Sequence, residues 1–98
     1  MKATDASVEA RDGRWYPAGS LVMDSVASLL AASRAQPLPE SGVVDLANIA
    51  RVDSAGVALM LAWKRRAAAE GHNLLFERVP PVVTSLAMLY GVVELLAA

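Results

Sequence analysis

The sequence predicts an α/β domain: a mixed sheet of about four strands with helices mainly on one face. Three observations carry that reading. A length of 98 residues allows one core and no more. Short apolar runs alternate with longer stretches at helical spacing, the pattern of βαβ units. The punctuation (Asp12-Gly13, Pro37 and Pro39, Ser41-Gly42, Gly71 and Gly91) falls where such elements must stop. The whole chain, 1–98, reads as a single domain, with residues 1–6 as a loose start.

The elements follow in order. Residues 8–10 and Trp15-Tyr16 flank Arg11-Asp12-Gly13-Arg14, a hairpin with Asp-Gly in its turn. Pro17 and Gly19 are expected to end the second strand. Residues 20–34 set Leu21, Val22, Val26, Leu29, Leu30 and Ala32 at amphipathic helical spacing, with Ser20 or Asp24 near the start. Pro37, Pro39, Ser41 and Gly42 make a loop. Val43-Val44-Asp45-Leu46-Ala47-Asn48-Ile49 reads as one strand, apolar at its start as in a strand covered on both faces.

Asp53 and Ser54 are N-cap types before a helix over 55–70, and Gly71 is its stop. Lys64, Arg65 and Arg66 fall in its second half, where cations complement the dipole; they read as a solvated face, or else as a contact to acidic groups on a partner or to lipid headgroups. Residues 73–79 form a strand through Leu74, Leu75 and Phe76. Residues 81–90 form a helix with Pro in its first turn, ended by Gly91, and 92–98 are a short apolar tail. The order β-β-α-β-α-β-α requires right-handed crossovers and parallel strands in its later part.

Composition removes several function classes. Nine Lys+Arg against ten Asp+Glu leave a net charge of −1, without the basic excess typical of nucleic-acid binders. The absence of cysteine excludes disulfides, zinc ribbons and thiol catalysis. One His cannot build a multi-histidine metal site, and neither GxxxxGK[ST] nor GxGxxG occurs. The expectation is a binding module without metal or cofactor, not an enzyme. Only 19% of residues are charged, below the roughly 25% of an average soluble domain, so part of the apolar surface is expected to face a partner. The longest uncharged stretch, 79–93, holds Pro80 and Pro81 and is shorter than the roughly 20 residues of a spanning helix. Residues 1–8 carry no apolar signal core, which predicts a cytoplasmic protein.

The sharpest chemistry lies at Asp53-Ser54-Ala55-Gly56. Amides at a helix start lack internal partners and the dipole there is positive, so a Ser54 hydroxyl can cap them, or a phosphate or a partner's acid can be held there. Ala55 and Gly56 are small enough for a partner's backbone to come close. Residues 57–63 are apolar nearly all round the helix; half must pack on the sheet and half is left for a partner. A Ser-His nucleophile is rejected: His72 lies past the far end of the same helix, roughly 25 Å away at 1.5 Å per residue. Asp45 reads as a turn or cap acceptor, and Arg51 either as a solvated charge or as a contact to an acidic partner.

Val43-Val44-Asp45-Leu46, six residues, then Asp53-Ser54-Ala55-Gly56 and the apolar run to Leu61 resemble the core signature of STAS domains. The likeness continues through Glu70-Gly71-His72-Asn73 and through Val79-Pro80-Pro81 to Tyr90-Gly91, so it covers about residues 43–92. Arg51 to Leu61, with Leu86 to Tyr90 and the compact length, look most like the MlaB-like branch, the small STAS subunits of phospholipid-transporting ABC systems. The resemblance implies a non-catalytic subunit. Ser54, with Asp53, Ala55 and Gly56, would contact a cytoplasmic (MlaF-like) ATPase subunit, and through it the permease and the inner membrane. Val57 and Met60 on the same helix, and Leu29 and Leu30 on the first, would extend that surface. The other branch, the anti-sigma factor antagonists, implies a switch by phosphorylation of Ser54. Antagonists commonly carry Gly-Glu-Leu-Asp after the second strand; here Gly19-Ser20-Leu21-Val22 lacks both acids. Ser54 stands where MlaB-like proteins often have Thr, which keeps the hydroxyl and loses a methyl.

Overall fold

The computed structural model describes residues 6–97. Of the expected loose start only Ala6 falls inside that range; residues 1–5, and Ala98 of the tail, lie outside the described residues. Strands β1 (Ser7–Arg11) and β2 (Arg14–Leu21) lead into helix α1 (Met23–Arg34). Then come β3 (Val43–Asp45), β4 (Ile49–Val52), α2 (Ser54–Ala69), β5 (Leu75–Glu77), α3 (Pro81–Leu89) and α4 (Val93–Ala97).

The hairpin forms as its turn chemistry dictates. Asp12 and Gly13 both adopt positive φ, 54° and 73°, the requirement of the two-residue turn that matches strand twist. β1 pairs antiparallel with β2 from Ser7↔Ala18 to Arg11↔Arg14. β2 then pairs in parallel with β3 through Arg14↔Val43 and Trp15↔Val44, and further along with β4 through Gly19↔Ile49 to Leu21↔Val52. β5 lies parallel to β3 at the far edge.

Two expectations are corrected together. β2 does not end at Pro17 and Gly19 but runs on to Leu21, and the expected strand 43–49 is broken into β3 and β4. The two facts have one cause. Pro17 falls between the stretch of β2 that pairs with β3 and the stretch that pairs with β4, where its missing N–H removes no ladder bond. Gly19 (φ 93°) takes up the irregular register beside Ser20. In the gap the chain turns through Leu46, which is buried, and Asp45 Oδ1 accepts from Ala47 N at 2.9 Å. α1 is also shorter at its start than expected. Ser20 is still strand and Asp24 lies inside the first turn; the N-cap position falls on Val22. The apolar tail is not extended: Gly91 (φ 67°) and the 2.8 Å bond from Val92 N to Ala87 O turn it back as α4.

All the helices gather on the sheet face that carries Val8, Trp15 and Val44. Trp15 and Trp63 meet edge to face at 5.6 Å and 72°, the preferred aromatic geometry. Trp63 Nε1 donates to Ser33 Oγ at 2.9 Å, so a buried helix serine is explained by a buried indole. The opposite sheet face is polar. Arg11 lies 4.2 Å over the Tyr16 ring, and Arg14 pairs with Glu77 at 3.0 Å across β3. The basic run of α2 is only partly solvated, contrary to expectation. Arg66 donates to Ser33 O (2.8 Å) and Gln36 O (2.7 Å), satisfying carbonyls at and beyond the end of α1, and pairs with Glu70.

Candidate functional site

The start of α2 is built by the strand before it. β4 brings the chain alongside the end of β2, and Asp53 N donates to Leu21 O at 3.1 Å. From that anchor Asp53 adopts an extended conformation and α2 begins at Ser54. The cap is Asp53, not Ser54: its Oδ1 accepts from Ala55 N (2.9 Å) and Gly56 N (3.2 Å). Its Oδ2 accepts from Met23 N at 3.0 Å, the first residue of α1. One carboxylate therefore caps two helices, and the Ala55 and Gly56 amides of the first turn are held by the protein's own carboxylate. The expected capping by the Ser54 hydroxyl is corrected accordingly: Asp53 supplies it.

The expected docking residues separate by burial. Gly56 is buried because α2 lies on the sheet backbone: a Cβ there would sit 2.2 Å from Leu21 O and 2.9 Å from Val52 Cγ1. Its smallness serves packing within the domain rather than a partner's approach. Val57 and Met60 are also buried, Met60 completely, and face the core. These three, and Leu29 on α1, which is likewise buried, are corrected from docking residues to core residues. Ser54 is exposed, Asp53, Ala55 and Leu30 are half-buried, and none of the hydrogen bonds among the described residues uses the Ser54 hydroxyl.

Beside Ser54 the two helices leave an apolar groove of about 260 Å³. Val26, Ala27 and Leu30 form its α1 wall, and Ala55, Ala58, Leu59 and Ala62 its α2 wall. Met23, 73% exposed, stands at the same end, since its amide is held by Asp53. Met23, Val26, Ala27, Ala58 and Ala62 were not among the expected site residues. Ala55, Ala58 and Ala62, at i, i+3 and i+7 on α2, are legible as a stripe. Nothing in an all-apolar helix marks which stripe faces out.

The remaining polar candidates are structural. Asp45 is fully covered, and its cover is Arg78, whose guanidinium pairs with both carboxylate oxygens while staying two-thirds exposed. That hydrogen bond, with the Ala47 amide, holds the Asp45 carboxyl below its ordinary range against the opposing effect of burial. Arg78 takes φ 52° to reach it. His72 and Arg51 are exposed, and His72 lies beyond the opposite end of α2 from Ser54, so no Ser-His pair exists. Among the described residues no three His, Cys, Asp or Glu side chains cluster as metal ligands, and no helix is long and apolar enough to cross a membrane.

The family model described as Mlab, STAS domain matches residues 18–97. The chain belongs to the MlaB-type STAS family. The match takes in β3 through α3 and the Asp53-Ser54 helix start, the segments in which the sequence likeness lay, and extends over α4. The mixed open sheet and its helices are those of a STAS-like fold. No match was found among curated proteins.

Proposed function

We propose that this STAS domain is a non-catalytic, cytoplasmic subunit of an ABC transporter that moves phospholipids between the inner and outer membranes. It docks on the transporter's ATPase subunit and reaches the inner membrane only through that complex. The observation that supports this reading is the open apolar groove between α1 and α2, which reaches the first turn of α2 at Ala55, next in sequence to the exposed Ser54. Three of the four residues of its α2 wall are alanine, so a partner helix or loop can approach that helix closely, and burial of such a patch is the usual driving force of subunit association. The domain acts by preferring the assembled state of the ATPase, which is stabilised by that difference in affinity. ATP and Mg²⁺ belong to the partner. The docking set is Ser54, Ala55, Ala58, Leu30 and Met23, with Asp53 shaping the helix start.

Ser54→Arg places a long charged side chain at the rim without touching the core. It should weaken co-purification with the ATPase and permease from native membranes by at least about tenfold, the loss of roughly 1.4 kcal/mol. Transporter ATPase activity should fall, while the melting temperature of the isolated domain is unchanged. Wild-type binding and activity in this variant would refute the docking surface.

A second reading, an anti-sigma factor antagonist switched by phosphorylation, draws on the exposed Ser54 hydroxyl. A phosphate there adds about −1.5 to −2 charge next to the Asp53 carboxylate, which already occupies the helix amides. That repulsion favours the transporter reading. Incubation with a cognate kinase followed by intact-mass measurement separates the two: an added phosphate on Ser54 supports the switch.

A further inference from the structure

At the opposite end of α2 from Ser54, a second cleft encloses about 360 Å³, a volume within the range of small-ligand sites. Leu61, Lys64, Arg65 and Ala68 line it at i, i+3, i+4 and i+7, one face of the helix. Leu74 and Leu95 add apolar lining, and His72 and Asn73 add polar lining. No carboxylate lines it. The ion pairs among the described residues, Arg14–Glu77, Arg66–Glu70 and Arg78–Asp45, use none of its cations. Lys64 donates to Leu74 O (2.5 Å) and sits 5.6 Å from the Phe76 ring; no other hydrogen bond among the described residues uses its three donors. Burial pushes its ammonium pKa down, so a bound anion would restore the balance. The neighbouring cleft between β5, α3 and α4, about 310 Å³, is lined by Leu75, Val79, Val93 and Leu96 and has no charged side chain. Cations and apolar lining coincide only in the first of the two.

We propose that the Lys64–Arg65 cleft binds a small amphiphilic anion. Its carboxylate or phosphate lies on Lys64 and Arg65, and its hydrocarbon on Leu61, Leu74 and Leu95. The site is independent of the docking surface at Ser54, and its test involves no transporter subunit.

The test titrates the full chain, followed by amide chemical shifts, with decanoate and decyl phosphate below their micellar concentrations. Decanol, decyltrimethylammonium and inorganic phosphate serve as controls. The anionic amphiphiles should shift residues around 61–74 saturably. They should bind about tenfold tighter than the neutral or cationic chain, as expected of one charge-assisted contact. Arg65→Glu, an exposed position, should weaken them about tenfold at unchanged melting temperature, and Leu95→Asp should do the same from the apolar side. The proposal is overturned if the cationic amphiphile binds equally, if Arg65→Glu has no effect, or if the shifts map to the uncharged cleft. It is likewise overturned if inorganic phosphate binds as tightly as decyl phosphate. Binding to phosphatidylglycerol vesicles without binding to either soluble anion would mark a membrane surface instead and also refute it.

Discussion

At Asp53 one carboxylate serves two helices, Oδ1 on the first amides of α2 and Oδ2 on the first amide of α1. Removing it uncovers donors at both helix starts at once. Asp53→Ala should therefore cost about 2 kcal/mol, one ordinary cap for each helix, in urea unfolding. Ser54→Ala, one residue away, should stay within about 0.5 kcal/mol because its exposed hydroxyl bonds to nothing within the described residues. The adjacent residues thus divide their roles: Asp53 sets the geometry that Ser54 presents. Asp45 works by a different logic. Its pKa is lowered by the Arg78 hydrogen bond, so the folded state binds a proton less readily than the unfolded chain, whose ordinary value is 3.8. That stabilisation is complete above 3.8 and is lost as pH falls through the lower folded value. Arg78→Ala should lower stability at neutral pH, and the difference from wild type should shrink as the pH drops below about 3.8. A pH series of urea midpoints for the two proteins checks this; a constant difference down to the lowest pH would contradict it.

At the scale of elements, the seat of α2 on the sheet positions the candidate surface. The helix approaches β2 so closely at Gly56 that a methyl group would overlap Leu21 O at 2.2 Å. Backbone oxygen cannot swing aside as a side chain can. Gly56→Ala should therefore destabilise by about 3 kcal/mol, the upper part of the overpacking range, although alanine is the better helix former. Chemical denaturation measures the loss. If the variant matched wild type, α2 would have to stand further from β2 than described. The interruption between β3 and β4 is an element-scale effect of the same kind. A proline in β2 decides where the neighbouring strand leaves the ladder, and the residues released there, Asp45 and Leu46, become the Arg78 anchor and a core residue.

For the whole molecule, the radius of gyration of 12.3 Å sits close to the roughly 13 Å of a compact 100-residue chain. The exposed Met23, Met88 and Leu89 are therefore surplus apolar surface on a well-packed body, not a sign of loose packing. Cooperativity should be graded. β2 touches three other strands, and α2 packs on β2, β4, α1, α3 and α4, whereas α4 contains no buried residue. Native-state hydrogen exchange should find the strongest protection in β2 and the centre of α2, near the global stability, and the weakest in α4, orders of magnitude lower. Equal protection of α4 and α2 would show that the C-terminal helix belongs to the cooperative core.

What the sequence determined alone was whatever depends on near neighbours in the chain. The Asp12-Gly13 turn, the helix stops at Gly71 and Gly91, the single core and the alternation of strands and helices rest on local backbone preference and periodicity, which any stretch of chain carries with it. The Asp-Ser-Ala-Gly helix start was legible for the same reason. The division of labour within it was not, because the second ligand of Asp53, the Met23 amide, is 30 residues away. The break between β3 and β4 was hidden since its cause, Pro17, lies on a different strand. On α2, Ser54, Ala58 and Ala62 were separated from Gly56, Val57 and Met60 only by what packs against them. A helix apolar on every side has no polar face to announce its outer surface, so tertiary contacts alone decided which residues turned to the sheet and which were left for a partner.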